Sequence, residues 1–141
     1  DYAIERDIKM EYTGIDVAET MITHAKINCE NGNFFVGDAL HYPFEKRFDY
    51  VVSNGILTQK LATTISDMDC FANLLIQRMF ELCEIGIAFN IMSNKVNFMV
   101  DHLYYRSPIE MLSFCFDNLS SKVRIDHAYP LHEYTIYVYR D

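Results

Sequence analysis

Between Met10 and Asn54 the sequence carries three short strand-like runs, and each runs out onto a polar side chain. The first is Met10-Glu11-Tyr12-Thr13-Gly14-Ile15-Asp16. The second is Asn33-Phe34-Phe35-Val36, followed by Gly37-Asp38-Ala39. The third is Phe48-Asp49-Tyr50-Val51-Val52-Ser53-Asn54. After the first run, Ala18, Met21, Ile22, Ala25 and Cys29 recur at the spacing of one buried helical face, and Asn31-Gly32 stops that helix. Such alternation of strand and helix is the signature of a parallel sheet covered by helices.

The rest of the chain continues the pattern and then breaks it. A helix is predicted from a Ser66 cap, with Asp69 three residues on as in a capping box. Met68, Phe71, Ala72, Leu75, Ile76, Met79 and Leu82 form its apolar face. Gly86 is expected to turn the chain into a fourth strand, Ile87 to Met92. Ser107-Pro108-Ile109-Glu110 combines a cap, a proline in the first turn and an acid at the third position, which predicts a helix start. Leu112, Phe114, Cys115, Phe116 and Leu119 are expected on or near its inner side. Two last strands, Val123 to Tyr129 and Tyr134 to Tyr139, flank a turn at Pro130. Their link is too short for a parallel crossover, so they pair antiparallel. Residues 1 to 9, with Tyr2, Ala3 and Ile8, read as the end of an earlier helix. The expected fold is α/β, a doubly wound and mainly parallel sheet with an antiparallel strand near its C-terminal edge. It forms a single domain over residues 1–141.

Charge and cysteine content narrow the function classes. Twenty acidic residues against twelve basic ones give a net charge of −8, which disfavours a nucleic-acid partner because phosphates are repelled. Apolar runs are shorter than the roughly 18 residues of a membrane span, so no membrane partner is expected. Cys29, Cys70, Cys83 and Cys115 are widely spaced. They form no metal or redox motif, and all four read as buried reduced thiols in a cytoplasmic protein. No metal site is expected.

Three blocks, in this order and spacing, resemble the class I S-adenosylmethionine-dependent methyltransferases. They are Tyr12-Thr13-Gly14-Ile15-Asp16-Val17 with Met21-Ile22 and Ala25-Lys26, then Asn33 to Ala39, then Phe48 to Leu57. The resemblance implies that Asp16, Val17, Met21, Asp38, Ala39, Asn54 and Gly55 bind S-adenosylmethionine. Asp16 would hold the ribose hydroxyls. Asp38 and the Ala39 N–H would hold adenine. Asn54 and Gly55 would lie beside the methionine part and the methyl group. The physics agrees, since ligands of open parallel sheets bind beyond the C-terminal ends of strands. Each residue also has a plainer role open to it: Asp16 as a helix cap, Asp38 and Asn54-Gly55 as turn residues.

The family's glycine loop is not found. The five glycines, Gly14, Gly32, Gly37, Gly55 and Gly86, stand singly. The chain begins at Asp1 inside the helix that follows that loop in the family. The natural protein is therefore expected to extend further upstream, and residues 1–141 alone to lack part of the cofactor cradle. Methyl transfer to a small molecule is the leading function. His41, Tyr42, His102, Tyr104 and Tyr105 are the candidate bases, as polar aromatics in loops that could cover the strand ends; they could equally be packing residues. The competing functions are a nicotinamide-dependent oxidoreductase and a non-catalytic methyltransferase-like binding protein.

Overall fold

The computed structural model describes residues 6–29 and 31–141. The described chain falls into two compact units, one up to Pro43 and one from Phe44 to Asp141.

The first unit holds two parallel strands and one helix. Strand β1 (Thr13–Asp16) pairs with β2 (Asn33–Val36), Ile15 opposite Phe35 and Asp16 opposite Val36. The ladder runs on at both ends, as Asn33 N–H donates to Tyr12 and Gly37 N–H to Asp16. Helix α1 (Glu19–Asn28) crosses between them. Of its expected apolar face only Ile22 is buried, while Met21 is exposed and Ala25 and Cys29 are half-buried. The predicted helix end at residues 1–9 lies partly outside the described residues. Residues 6–12 carry neither helix nor strand, and Asp7 takes a left-handed φ of 52°.

The second unit is a five-stranded sheet built from β3 (Phe48–Ser53), β4 (Cys83–Ser93), β5 (Tyr105–Arg106), β6 (Lys122–Asp126) and β7 (Glu133–Tyr139). The main order is β3-β4-β7-β6, and β5 adds to the end of β4. Strands β3 and β5 lie parallel to β4, whereas β7 is antiparallel to both β4 and β6. The sheet is thus mixed, with its one antiparallel strand next to the edge. Helix α2 (Ile65–Leu82) and helix α3 (Pro108–Asn118) cover it.

Period-two alternation defines the covered face. Ile87, Phe89 and Ile91 of β4 stand opposite Val138, Ile136 and Tyr134 of β7, and all six are nearly inaccessible. Burying a side chain of this size stabilises by about 1.5–3 kcal/mol. Met68, Ala72, Leu75, Ile76, Met79 and Leu82 of α2 and Met111 and Cys115 of α3 complete this core. On the other face, Tyr50 and Val52 remain largely exposed.

Four local expectations are corrected. Helix α2 is capped by Thr64, whose hydroxyl oxygen accepts from Asp67 N–H, and not by Ser66. Both pairs satisfy the capping pattern, but Asp69 is taken by another partner described below. Second, α2 passes without a loop into β4, so Gly86 lies inside the strand and marks no turn. A Cβ at Gly86 would stand 2.8 Å from the Val138 carbonyl oxygen, so the close approach of β7 needs a glycine there. Third, Cys83 and Cys115 are buried, but Cys70 is exposed and Cys29 only half-buried. Fourth, the inner side of α3 is Met111 and Cys115, while Phe116 is exposed.

Candidate active site

Asp16 is the last residue of β1, where the parallel ladder stops and the chain turns toward α1. Its Oδ1 accepts from Ala18 N–H at 2.8 Å. The helix has no side-chain cap of its own, Ala18 being the cap residue. Asp16 therefore orients the entry to α1 while its Oδ2 has no protein partner among the described residues. Val17 and Met21 are both exposed.

Asp38 stands just beyond the end of β2. Its Oδ1 accepts from Leu40 N–H at 3.0 Å and its Oδ2 meets His41 Nδ1 at 2.7 Å. The His41 hydrogen bond, then the Leu40 N–H, holds the Asp38 carboxyl below the usual carboxylate range. Its backbone carbonyl also accepts from His41 and Tyr42 N–H. Ala39 lies in the same turn, half-buried. Tyr42 packs its ring on Phe35, centroids 5.2 Å apart. In this unit the structure therefore brings Asp38, Ala39, His41 and Tyr42 into one turn, with His41 bonded to Asp38.

In the second unit, Asn54 follows β3 directly and is exposed. Gly55 takes a φ of +85°, a left-handed conformation that favours glycine. A Cβ there would meet nothing within 4 Å, so the surface beside it is open. Gly55 N–H donates to Asn90 Oδ1 at 2.9 Å, and Asn90 Nδ2 donates to Glu133 Oε2 at 2.8 Å. Neither Asn90 nor Glu133 is among the site residues expected from the sequence.

The loop after β3 and the loop after β4 are stitched together. Gln59 bridges Leu103, Tyr104 N–H donates to Thr58, and the His102 carbonyl accepts from Lys60 and Leu61. This places His102 and Tyr104 at the same end of the sheet as Asn54 and Gly55, and Tyr105 opens β5 opposite Met92. Their side chains differ. His102 is exposed. The Tyr105 hydroxyl oxygen accepts from Val100 N–H at 3.3 Å. Tyr104 is fully buried.

Tyr104 sits in the core. Its hydroxyl donates to Asp69 Oδ1 on α2, and burial, then that bond, raises its pKa well above the ordinary tyrosine value. A neighbouring arginine completes the cluster: Arg106 Nη1 donates to Asn73 at 2.7 Å and its guanidinium lies over the Phe114 ring. Tyr134 Oη donates to the Arg106 carbonyl at 3.4 Å. The cluster ties β5, α2, α3 and β7 together. Among the described residues no group of His, Cys, Asp and Glu could hold a metal ion, and no helix is long and apolar enough to cross a membrane.

Comparison with known proteins converges on one family. The model of the methyltransferase domain matches residues 2–72, half of the chain. The chain is 28% identical over 143 residues to Rv1506c of Mycobacterium tuberculosis, which carries the name of a methyltransferase; the likeness covers 98% of this chain and 84% of that protein. Magnesium protoporphyrin IX methyltransferase from Synechocystis PCC 6803, solved with bound S-adenosylmethionine, superposes with a TM-score of 0.68 at 12% identity. That match covers 96% of this chain, which spans 62% of the Synechocystis chain. An S-adenosylmethionine-dependent methyltransferase from Clostridium acetobutylicum superposes at a TM-score of 0.63 with 8% identity, over 92% of this chain and 75% of that one. These structural likenesses are likenesses of fold. The chain belongs to the methyltransferase domain family.

Proposed function

We propose that this protein transfers a methyl group from S-adenosylmethionine to a small-molecule acceptor. The observation that carries the reading is Asp16, at the C-terminal end of a parallel strand, with one carboxylate oxygen fixed by Ala18 and the other without a partner among the described residues. A carboxylate so placed can accept from a ribose hydroxyl. Asp38, with the Ala39 N–H beside it, is read as the adenine contact, and Val17 and Met21 as exposed apolar side chains against which the nucleoside rests. Asn54 and Gly55 are assigned to the methionine end.

When bound, S-adenosylmethionine supplies a sulfonium carbon open to in-line attack. The chain's own contribution is proximity and orientation of the acceptor. The net charge of −8 suits a cationic sulfonium and disfavours a nucleic-acid acceptor. His102, on the loop after β4, and Tyr105, at the start of β5, are the candidate bases, whereas His41 is engaged by Asp38 and Tyr104 is buried.

The test is calorimetric titration of the full-length protein with S-adenosylhomocysteine and, separately, with NAD. Saturable heat with S-adenosylhomocysteine alone is expected. Heat with NAD alone would point to an oxidoreductase, and heat with neither would overturn cofactor binding.

A further inference from the structure

Asparagine is depleted in strands, yet Asn90 sits inside β4 between Phe89 and Ile91, with only 8% of its surface exposed. A buried side-chain amide is costly unless its hydrogen bonds are made. Asn90 makes them to two residues far away in sequence: its Oδ1 accepts from Gly55 N–H and its Nδ2 donates to Glu133 Oε2. The register explains how. Asn90 stands opposite Thr135, and Met92 opposite Glu133, so Asn90 and Glu133 are diagonal neighbours on one face of the β4–β7 ladder.

The polarity of the chain of bonds is fixed from one end. An ionised carboxylate only accepts, so Glu133 draws the NH₂ end of the amide toward itself. The oxygen end is then turned toward Gly55. There it meets the N–H of a residue in a left-handed conformation at the exit of β3. This bond sets the direction in which the chain leaves the strand, and so the position of exposed Asn54 next to it.

We propose that Asn90 is a positioning residue for the cofactor site, holding the Asn54-Gly55 turn in place, with Glu133 orienting its amide. The inference rests on the methyl-transfer reading for the identity of the ligand, but not for the bond itself. It commits Glu133 to orientation and not to base catalysis.

The test uses polarity reversal in the full-length protein. Asn90→Asp places a second carboxylate against Glu133 and should drive the side chain away from Gly55. Hydrogen exchange at the Gly55 amide should speed up about tenfold, and the Kd for S-adenosylhomocysteine should rise about tenfold. Adding Glu133→Gln restores a donor facing an acceptor, and both readouts should return to within about threefold of the wild type. If N90D folds poorly, Glu133→Ala leaves Asn90 in place but without its guide, and Gly55 exchange should still rise severalfold. Unchanged exchange and affinity in N90D, a double variant no better than N90D, or unchanged exchange in E133A would each overturn the proposal. A wild-type protein that fails to bind S-adenosylhomocysteine would overturn the cofactor reading instead, and Gly55 exchange would still decide whether Asn90 holds the turn.

Discussion

The Tyr104 hydroxyl donates a hydrogen bond to Asp69, and that one contact joins the loop after β4 to the first turns of α2. Tyr104 is fully buried while the Asp69 side chain keeps 43% of its surface in solvent. Removing the hydroxyl leaves Asp69 able to turn to water. Tyr104→Phe should therefore cost only about 0.5–1.5 kcal/mol, the net worth of one hydrogen bond. The urea midpoint should fall slightly with unchanged slope. Affinity for S-adenosylhomocysteine should stay within about twofold, since no ligand contact is assigned to the ring. A tenfold loss of affinity would return Tyr104 to the site.

Asp16→Ala removes both the guide for the entry to α1 and the proposed ribose contact. Hydrogen bonds to a charged group contribute roughly 1.5–3 kcal/mol, so the Kd for S-adenosylmethionine should rise about ten- to a hundredfold. Calorimetry at constant ionic strength measures it. Asp38→Ala should cost less, because His41 and Leu40 already occupy its carboxylate. Equal losses for the two variants would contradict the separate roles given to them.

Two glycines should fail for different reasons. Gly86→Ala forces a Cβ against the Val138 carbonyl oxygen, a backbone atom that cannot move without disturbing β7. Overpacking of this kind costs about 1–3 kcal/mol. Gly55→Ala meets open space, and its cost is the left-handed backbone, about 1–2 kcal/mol. Asparagine tolerates that region better, so Gly55→Asn should regain part of the stability. At Gly86 asparagine should be worse than alanine. Urea melts of the four variants separate the two causes.

The thiols should react in order of exposure. Burial pushes the Cys115 thiol up to about 12, so almost no thiolate exists there at pH 8. Cys70 lies exposed on α2. Brief alkylation of the folded protein at pH 8 should label Cys70 and spare Cys83 and Cys115, as mass spectrometry of peptides would show. Labelling of Cys115 before Cys70 would mean that the core of α3 opens locally.

Where the signal was local, the sequence carried it well. Ser107 caps α3 with Pro108 in its first turn, as those residues predict. Strand β2 has the predicted bounds, because Asn31-Gly32 and Gly37-Asp38 punctuate it on both sides. Asp16 and Asp38 lie at or just beyond the strand ends that were read for them. Ambiguity arose where two patterns overlapped, as with Thr64-Asp67 and Ser66-Asp69, and only the pull of Tyr104 on Asp69 separates them. Interactions made at long range left no trace. Strand β5 is two residues that exist as a strand only because β4 runs on to Ser93. Gly86 looked like punctuation, but its reason is the Val138 carbonyl in a strand some fifty residues on. Asn90 has no role assigned to it in the sequence, and its partners Gly55 and Glu133 lie 35 and 43 residues away.

The place of β7 has a consequence for how the molecule is made. Translation delivers β7 after β3, β4 and β6, yet it lies between β4 and β6 and bonds to both. Until those residues leave the ribosome, β4 carries an open edge of N–H and C=O groups, and β6 has no neighbour to pair with. Such edges recruit other chains. The nascent second unit therefore depends on protection by chaperones or by fast synthesis through Glu133–Tyr139, and slow codons placed just before that strand should lower the soluble yield without altering the mature protein.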